Sequence, residues 1–155
     1  MYFSAGSPVY LLQECDTTSR MVFWCMQMPN SMKILVVDDS PTICLFMTRA
    51  LEKAGYRVVT AASGNEGLQK AFQERPHCIV IDVVLPGMSG FSLCRQIRSY
   101  DPQRRIPIIL VSTKNTPLDQ SWGLRQGADR YLPKPFTDEM LVNTVNELMQ
   151  ARIAR

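Results

Sequence analysis

The run Cys78-Ile79-Val80-Ile81-Asp82 constrains this chain more than any other stretch, because it offers no polar face until its last residue. A strand that is apolar on both sides must be covered on both sides, the situation of a parallel sheet sandwiched between helices. Comparable short runs recur at 33–37, 57–61, 107–111 and about 130–132. Amphipathic helical segments separate them. The first carries Ile43, Met47, Ala50, Leu51 and Ala54 at helical spacing, opens on Ser40-Pro41 as N-cap and N1, and stops at Gly55. Ser63 caps a second helix reaching roughly Glu74, and a third runs from about Phe91 to Ser99. A fourth follows Asn115-Thr116-Pro117 and ends before Gly127, and Thr137 caps a last one of roughly 138–151. Five strand–helix units in alternation predict an α/β fold, a (βα)5 doubly wound five-stranded parallel sheet.

A chain of 155 residues holds one such domain, and a boundary falls near Met32. Residues 1–31 show neither helical nor strand period and are expected to be a disordered N-terminal extension or an upstream start assignment, with Met32 as the physiological start. The net charge of +3 is spread over interspersed residues of both signs, with no basic run suited to nucleic acid. Met21 to Met28, the most apolar stretch, is too short to span a bilayer, so no membrane insertion is expected. Five cysteines without a CxxC pair, and a single histidine, His77, exclude a zinc site by spacing. Cys44, Cys78 and Cys94 fall inside apolar patterns and read as buried reduced thiols, so the chain is expected in the cytoplasm. His77 precedes the third strand with nothing nearby to orient it and reads as surface.

The chemistry concentrates where strands end. Asp38 and Asp39 close the first apolar run, and Asp82 closes the third. Carboxylates delivered to one rim of a parallel sheet form an oxygen-ligand pocket for a hard divalent cation, with Mg2+ as the expected occupant. Ser112 ends the fourth run and Lys134 follows the fifth, adding a hydroxyl and an ammonium. These are the parts for handling a phosphoryl group. Each has a plainer alternative. The acidic pair could merely initiate a helix, although Ser40 already serves as its cap. Ser112 could be an ordinary strand-end hydroxyl and competes with Thr113, and Tyr131 could be simple core.

Together, Asp38-Asp39, Asp82 with Pro86 and Gly90, Ser112, Tyr131 and Lys134-Pro135-Phe136 resemble the receiver domain of bacterial response regulators, the CheY-like fold. The resemblance covers 32–152. It implies strand order 2-1-3-4-5 and a site at the topological switch point. It further implies Asp82 as phosphoacceptor from a histidine kinase or phosphotransfer protein, and Mg2+ on Asp38, Asp39, Asp82 and the Val84 main-chain carbonyl. Lys134 would pair with Asp82 at rest and with a phosphoryl oxygen afterwards, Ser112 would donate to another oxygen, and Tyr131 would act as a switching ring. The Lys134–Pro135 bond is expected to be cis. The segment 121–128 looks similar to regulators of type IV pilus and twitching motility systems, with chemotaxis as the other candidate pathway.

Other phosphate chemistries fit less well. No GxxxxGK[ST] loop is present, and Val84 stands where a phosphatase of the haloacid dehalogenase type needs a second Asp. The chain is therefore not expected to be an enzyme beyond self-phosphorylation and self-dephosphorylation. The alternatives are a pseudo-receiver that binds partners without phosphorylation and a phosphoester hydrolase. With no output domain recognised, signalling is expected through a downstream protein bound on helix 4, strand 5 and helix 5. Leu118, Trp122 and Arg125 lie there at helical spacing beside Tyr131 and Leu132. Trp122 reads either as a partly buried packing residue or as an interface anchor.

Overall fold

The computed structural model describes residues 32–153, so the expectations for 1–31, Cys15 and Cys25 lie outside the described residues. The elements are β1 (Lys33–Val37), α1 (Pro41–Lys53), β2 (Arg57–Ala61), α2 (Gly64–Glu74), β3 (Cys78–Asp82), α3 (Gly90–Tyr100), β4 (Ile108–Ser112), α4 (Pro117–Arg125), β5 (Arg130–Pro133) and α5 (Asp138–Ile153). The strands pair in parallel in the order β2-β1-β3-β4-β5. Both the alternation and the strand order agree with the sequence reading.

Period-two side-chain alternation divides the core between the two faces of the sheet. Ile34, Val36, Cys78, Val80, Ile109, Val111 and Leu132 pack with Met47 and Leu51 of α1 and Leu141, Val145 and Met149 of α5. Leu35, Val37, Ile79, Ile81, Ile108 and Leu110 pack on the other side with Ala71 of α2 and Leu93, Cys94 and Ile97 of α3. Every residue of β3 and β4 is buried, which explains why these strands read as unbroken apolar runs.

Helix starts follow local chemistry. Ser40, Ser63 and Ser89 each accept a hydrogen bond from the amide three residues on. Thr116 and Asp119 form a reciprocal capping box. Several boundaries shift by a residue or two from expectation. Strand β4 runs one residue later, because Pro107 has no N–H for the ladder and Ser112 pairs in register with Pro133. Helix α3 begins at Gly90, because Ser89 supplies its cap.

His77 is a further correction. It is half-buried at the entry to β3, where its Nδ1 accepts the Lys33 amide at 3.0 Å and its own amide donates to the Lys33 carbonyl at 2.7 Å. Arg152 donates to its main-chain carbonyl at 3.0 Å. Burial, and then the nearby Arg152 cation, hold the imidazole below its ordinary 6.5. Cys44, Cys78 and Cys94 are free thiols. Burial pushes Cys78 up to about 12 and Cys94 up to about 11.

Candidate functional site

The C-terminal ends of β1, β3 and β4 bring the predicted polar residues to one rim. Asp38 follows β1 and is buried, Asp39 beside it is exposed, and Asp82 is the buried last residue of β3. One carboxylate oxygen from each lies within 4.8 Å of the others. Three hard anionic donors this close fit a divalent cation that takes oxygen ligands, and they repel one another without one.

Lys134 supplies the compensating charge already present. Its Nζ stands 3.1 Å from Asp38 Oδ2 and 3.4 Å from Asp82 Oδ2. The ammonium thus bridges two carboxylates and lies nearer Asp38, whereas the sequence reading paired it with Asp82 alone. The difference arises because Asp38 and Asp82 end neighbouring strands and point into the same space. The Lys134–Pro135 bond is cis, as expected.

The remaining bonds leave each carboxylate in a distinct setting. Asp38 Oδ1 accepts the Ser40 amide at 2.9 Å, so this residue also shapes the turn into α1. Asp82 Oδ1 accepts the Val84 amide at 3.3 Å. Burial raises the Asp82 carboxyl above its ordinary range, and the Asp38 charge adds to this, against the opposing pull of Lys134 and the Val84 amide. Val84 itself is 59% exposed and stands at the mouth of the site.

Gly90 sets how closely α3 approaches this strand end. A Cβ there would lie 2.2 Å from the Asp82 carbonyl oxygen, so no larger residue fits without moving the backbone. Ser112 is fully buried at the end of β4, beside Val111, the register partner of Asp82. Its Oγ accepts the Lys114 amide at 3.0 Å, and its carbonyl accepts the Lys134 amide at 2.8 Å. Thr113, its competitor in sequence, is exposed.

Tyr131 lies farther along the same rim. Its ring packs on the core face that holds Leu110, and its hydroxyl donates to the Lys114 carbonyl at 2.6 Å. Trp122 is not gathered into the site. It is 51% exposed on α4, with Leu118 at 79% and Leu124 at 45% on the same helix. Leu132 is buried against the opposite face and does not join that surface. Strand alternation explains this: with Tyr131 toward one face, Leu132 must point to the other.

Two features of the site were missed in the sequence. Cys44 Sγ donates to the Asp38 carbonyl at 3.2 Å, and Thr48 Oγ1 is buried with no partner among the described residues, in the cleft beside Asp38 and Asp39. Both side chains lie on the inner side of α1 among apolar neighbours. Their helical spacing therefore marked them only as packing positions.

The response regulator receiver domain family matches residues 34–146. The chain is 43% identical over 117 residues to Protein PilH of Pseudomonas aeruginosa, covering 76% of this chain and 97% of that protein. It is also 43% identical over 105 residues to the alkaline phosphatase synthesis transcriptional regulatory protein PhoP of Bacillus subtilis, covering 68% of this chain. The match spans only 43% of that longer protein. Among solved structures, the chemotaxis response regulator CheY4 of Vibrio cholerae superposes with a TM-score of 0.72 at 36% identity, covering 76% of this chain and 98% of that one.

Proposed function

The chain belongs to the response regulator receiver family, and from that premise we propose that it works as a phosphorylation-dependent switch of a two-component phosphorelay with Asp82 as the phosphoacceptor. The observation that carries the assignment is the cluster of three carboxylate oxygens within 4.8 Å, bridged by one ammonium. Asp82 is favoured over its neighbours because it ends the central strand and Asp38 is already committed to the turn into α1.

In the proposed step, an Oδ oxygen of Asp82 bonds to phosphorus as the P–N bond of a phosphohistidine breaks, and the electron pair leaves on the imidazole nitrogen. Asp38, Asp39, Asp82 and the Val84 carbonyl are the residues that would hold Mg2+, which when bound neutralises charge on the transferring oxygens. Lys134 would shift from the carboxylates to a phosphoryl oxygen. Ser112, whose Oγ accepts the Lys114 amide, keeps its hydroxyl hydrogen for another. Because Lys114 also bonds Tyr131, a pull on Ser112 reaches β5 through one residue.

The output is then a change in protein contacts on α4, β5 and α5, where Leu118, Trp122 and Arg125 are exposed. The likeness to Protein PilH and CheY4 supports a role in pilus motility or chemotaxis, and the free thiols Cys44, Cys78 and Cys94 suit the cytoplasm. Among the described residues no helix is long and apolar enough to cross a membrane. A pseudo-receiver would have no use for an intact acidic cluster with its ammonium, which argues for the phosphorylated form of the function. Incubation with acetyl phosphate and Mg2+, read by intact mass, tests the reading. A gain of one phosphoryl group, abolished by Asp82→Asn, is expected, and an unmodified wild-type mass would refute it.

A further inference from the structure

The end of the sheet opposite Asp82 has a concave feature of its own. A cleft of about 300 Å3 opens between the loop that joins α3 to β4 and the last turns of α5. Arg104, Arg105 and Arg152 line it, and none of the three forms an ion pair among the described residues. Asp129, the carboxylate on the same wall, is taken by Arg98 at 2.6 Å.

The arginine loop is wired in place. Asp101 accepts the amides of Arg105 at 3.1 Å and Ile106 at 2.9 Å, while Arg98 Nη1 donates to the Ile106 carbonyl at 2.6 Å. Arg104 sits in the left-handed region at φ 51°, with its amide bonded to the Asp101 carbonyl at 3.0 Å. Arg105 donates Nε to Gln103 Oε1 at 2.8 Å and a second N–H to the same oxygen. A neutral acceptor thus orients this guanidinium without cancelling its charge. Complementing a helix dipole accounts for Arg152, in the last turn of α5, but not for Arg104 and Arg105, which belong to no helix.

We propose that this cleft is a binding site for a phosphate ester, with the phosphate between the guanidiniums of Arg104, Arg105 and Arg152 and the organic part against Pro107, Leu148 and Ala151. Planar guanidinium forks match phosphate oxygens in pairs, and a cleft of this size suits a small ligand. The site lies at the opposite end of the sheet from the carboxylate cluster and shares no residue with it.

The test is calorimetric titration of the full chain with AMP, in magnesium-free buffer at low salt, alongside sedimentation with phosphatidylglycerol and phosphatidylcholine vesicles. Saturable AMP binding is expected, weakened about ten-fold or more in Arg104→Gln/Arg105→Gln and again in Arg152→Gln, and unchanged in Arg49→Gln on α1. Binding to phosphatidylglycerol vesicles without AMP binding, lost in the same variants, would assign the phosphate to a lipid headgroup. Thermal melts of the variants, all at exposed positions, check that each remains folded. Absence of both AMP and phosphatidylglycerol binding would overturn the proposal. So would affinities indifferent to the arginine substitutions, or inorganic phosphate binding as tightly as AMP.

Discussion

Tyr131 donates its hydroxyl hydrogen to the main-chain carbonyl of Lys114 across 2.6 Å, joining β5 to the loop that follows β4. The ring is fixed from a second side by α4, because a Cβ on Gly123 would stand 2.8 Å from Tyr131 Cδ2 and 3.1 Å from Leu110 Cδ1. Glycine at this position is thus a matter of clearance, in a helix interior where alanine is otherwise preferred. The position of α4 is set by the ring beneath it.

Gly123→Ala is therefore expected to destabilise the protein despite a helix-propensity gain of about 1 kcal/mol, because overpacking costs roughly 1–3 kcal/mol. A net loss near 1 kcal/mol should appear as a lower urea midpoint. In a Tyr131→Ala background the same change should be neutral or stabilising, since the clashing atoms are gone. Additive effects of the two substitutions would show that Gly123 and Tyr131 are not coupled.

His77 should make stability fall in mild acid. Its folded pKa lies below 6.5, so the unfolded chain binds the proton more readily. The contribution of the neutral ring is present above about pH 6.5 and lost as the pH falls below it toward the folded value. Protonation of Nδ1 also removes the acceptor for the Lys33 amide. Chemical unfolding at pH 7.5 and 5.5 should show a larger decline for wild type than for His77→Asn. Equal declines would remove His77 from the account.

Lys134→Met should expose the mutual repulsion of Asp38 and Asp82. Its ammonium is their only cation partner among the described residues. Removing one partner of a largely buried pair costs about 2–3 kcal/mol after allowing for partial exposure. Added Mg2+ should return part of that loss, so the Mg2+-induced rise in Tm is expected to be larger in the variant than in wild type. The rise should disappear in both when Asp39→Ala and Asp82→Asn are introduced. A variant indifferent to Mg2+ would count against the cluster as a cation site.

The fold was legible because each level of the sequence points the same way. Cys78–Asp82 reads as a doubly covered strand, Ser40-Pro41 and Thr116-Pro117 as helix starts, and Gly55 and Gly127 as stops, both at positive φ. Asp38, Asp39 and Asp82 were legible for a related reason, since a carboxylate at the end of an apolar run must emerge at the sheet rim. The bridging of Asp38 by Lys134 was not, because 96 residues separate them and only the order of strands brings them together. His77 was misread for the same reason. Its partners Lys33 and Arg152 come from the first strand and the last helix. Trp122 was ambiguous because helical spacing places it on α4 without revealing that α4 turns Gly123 toward the sheet.

Val84 should govern how long a phosphoryl group persists on Asp82. Its amide donates to Asp82 Oδ1 at 3.3 Å, which places residue 84 beside the acceptor, and its side chain is 59% exposed at the mouth of the site. Loss of the phosphoryl group requires a water oxygen to bond to phosphorus as the P–Oδ bond breaks, returning the carboxylate and releasing inorganic phosphate. That water must be held in line with the breaking bond, and an isopropyl group offers it no hydrogen bond while occupying its approach. Asparagine at 84 adds a donor and an acceptor at nearly the same volume. Val84→Asn, followed by intact mass after removal of the phosphoryl donor, is thus expected to lose its phosphoryl group faster than wild type. Decay that is unchanged or slower would show that Val84 does not shield the acyl phosphate, and would leave exposed Lys114, across the rim on the loop after β4, as the next residue to substitute.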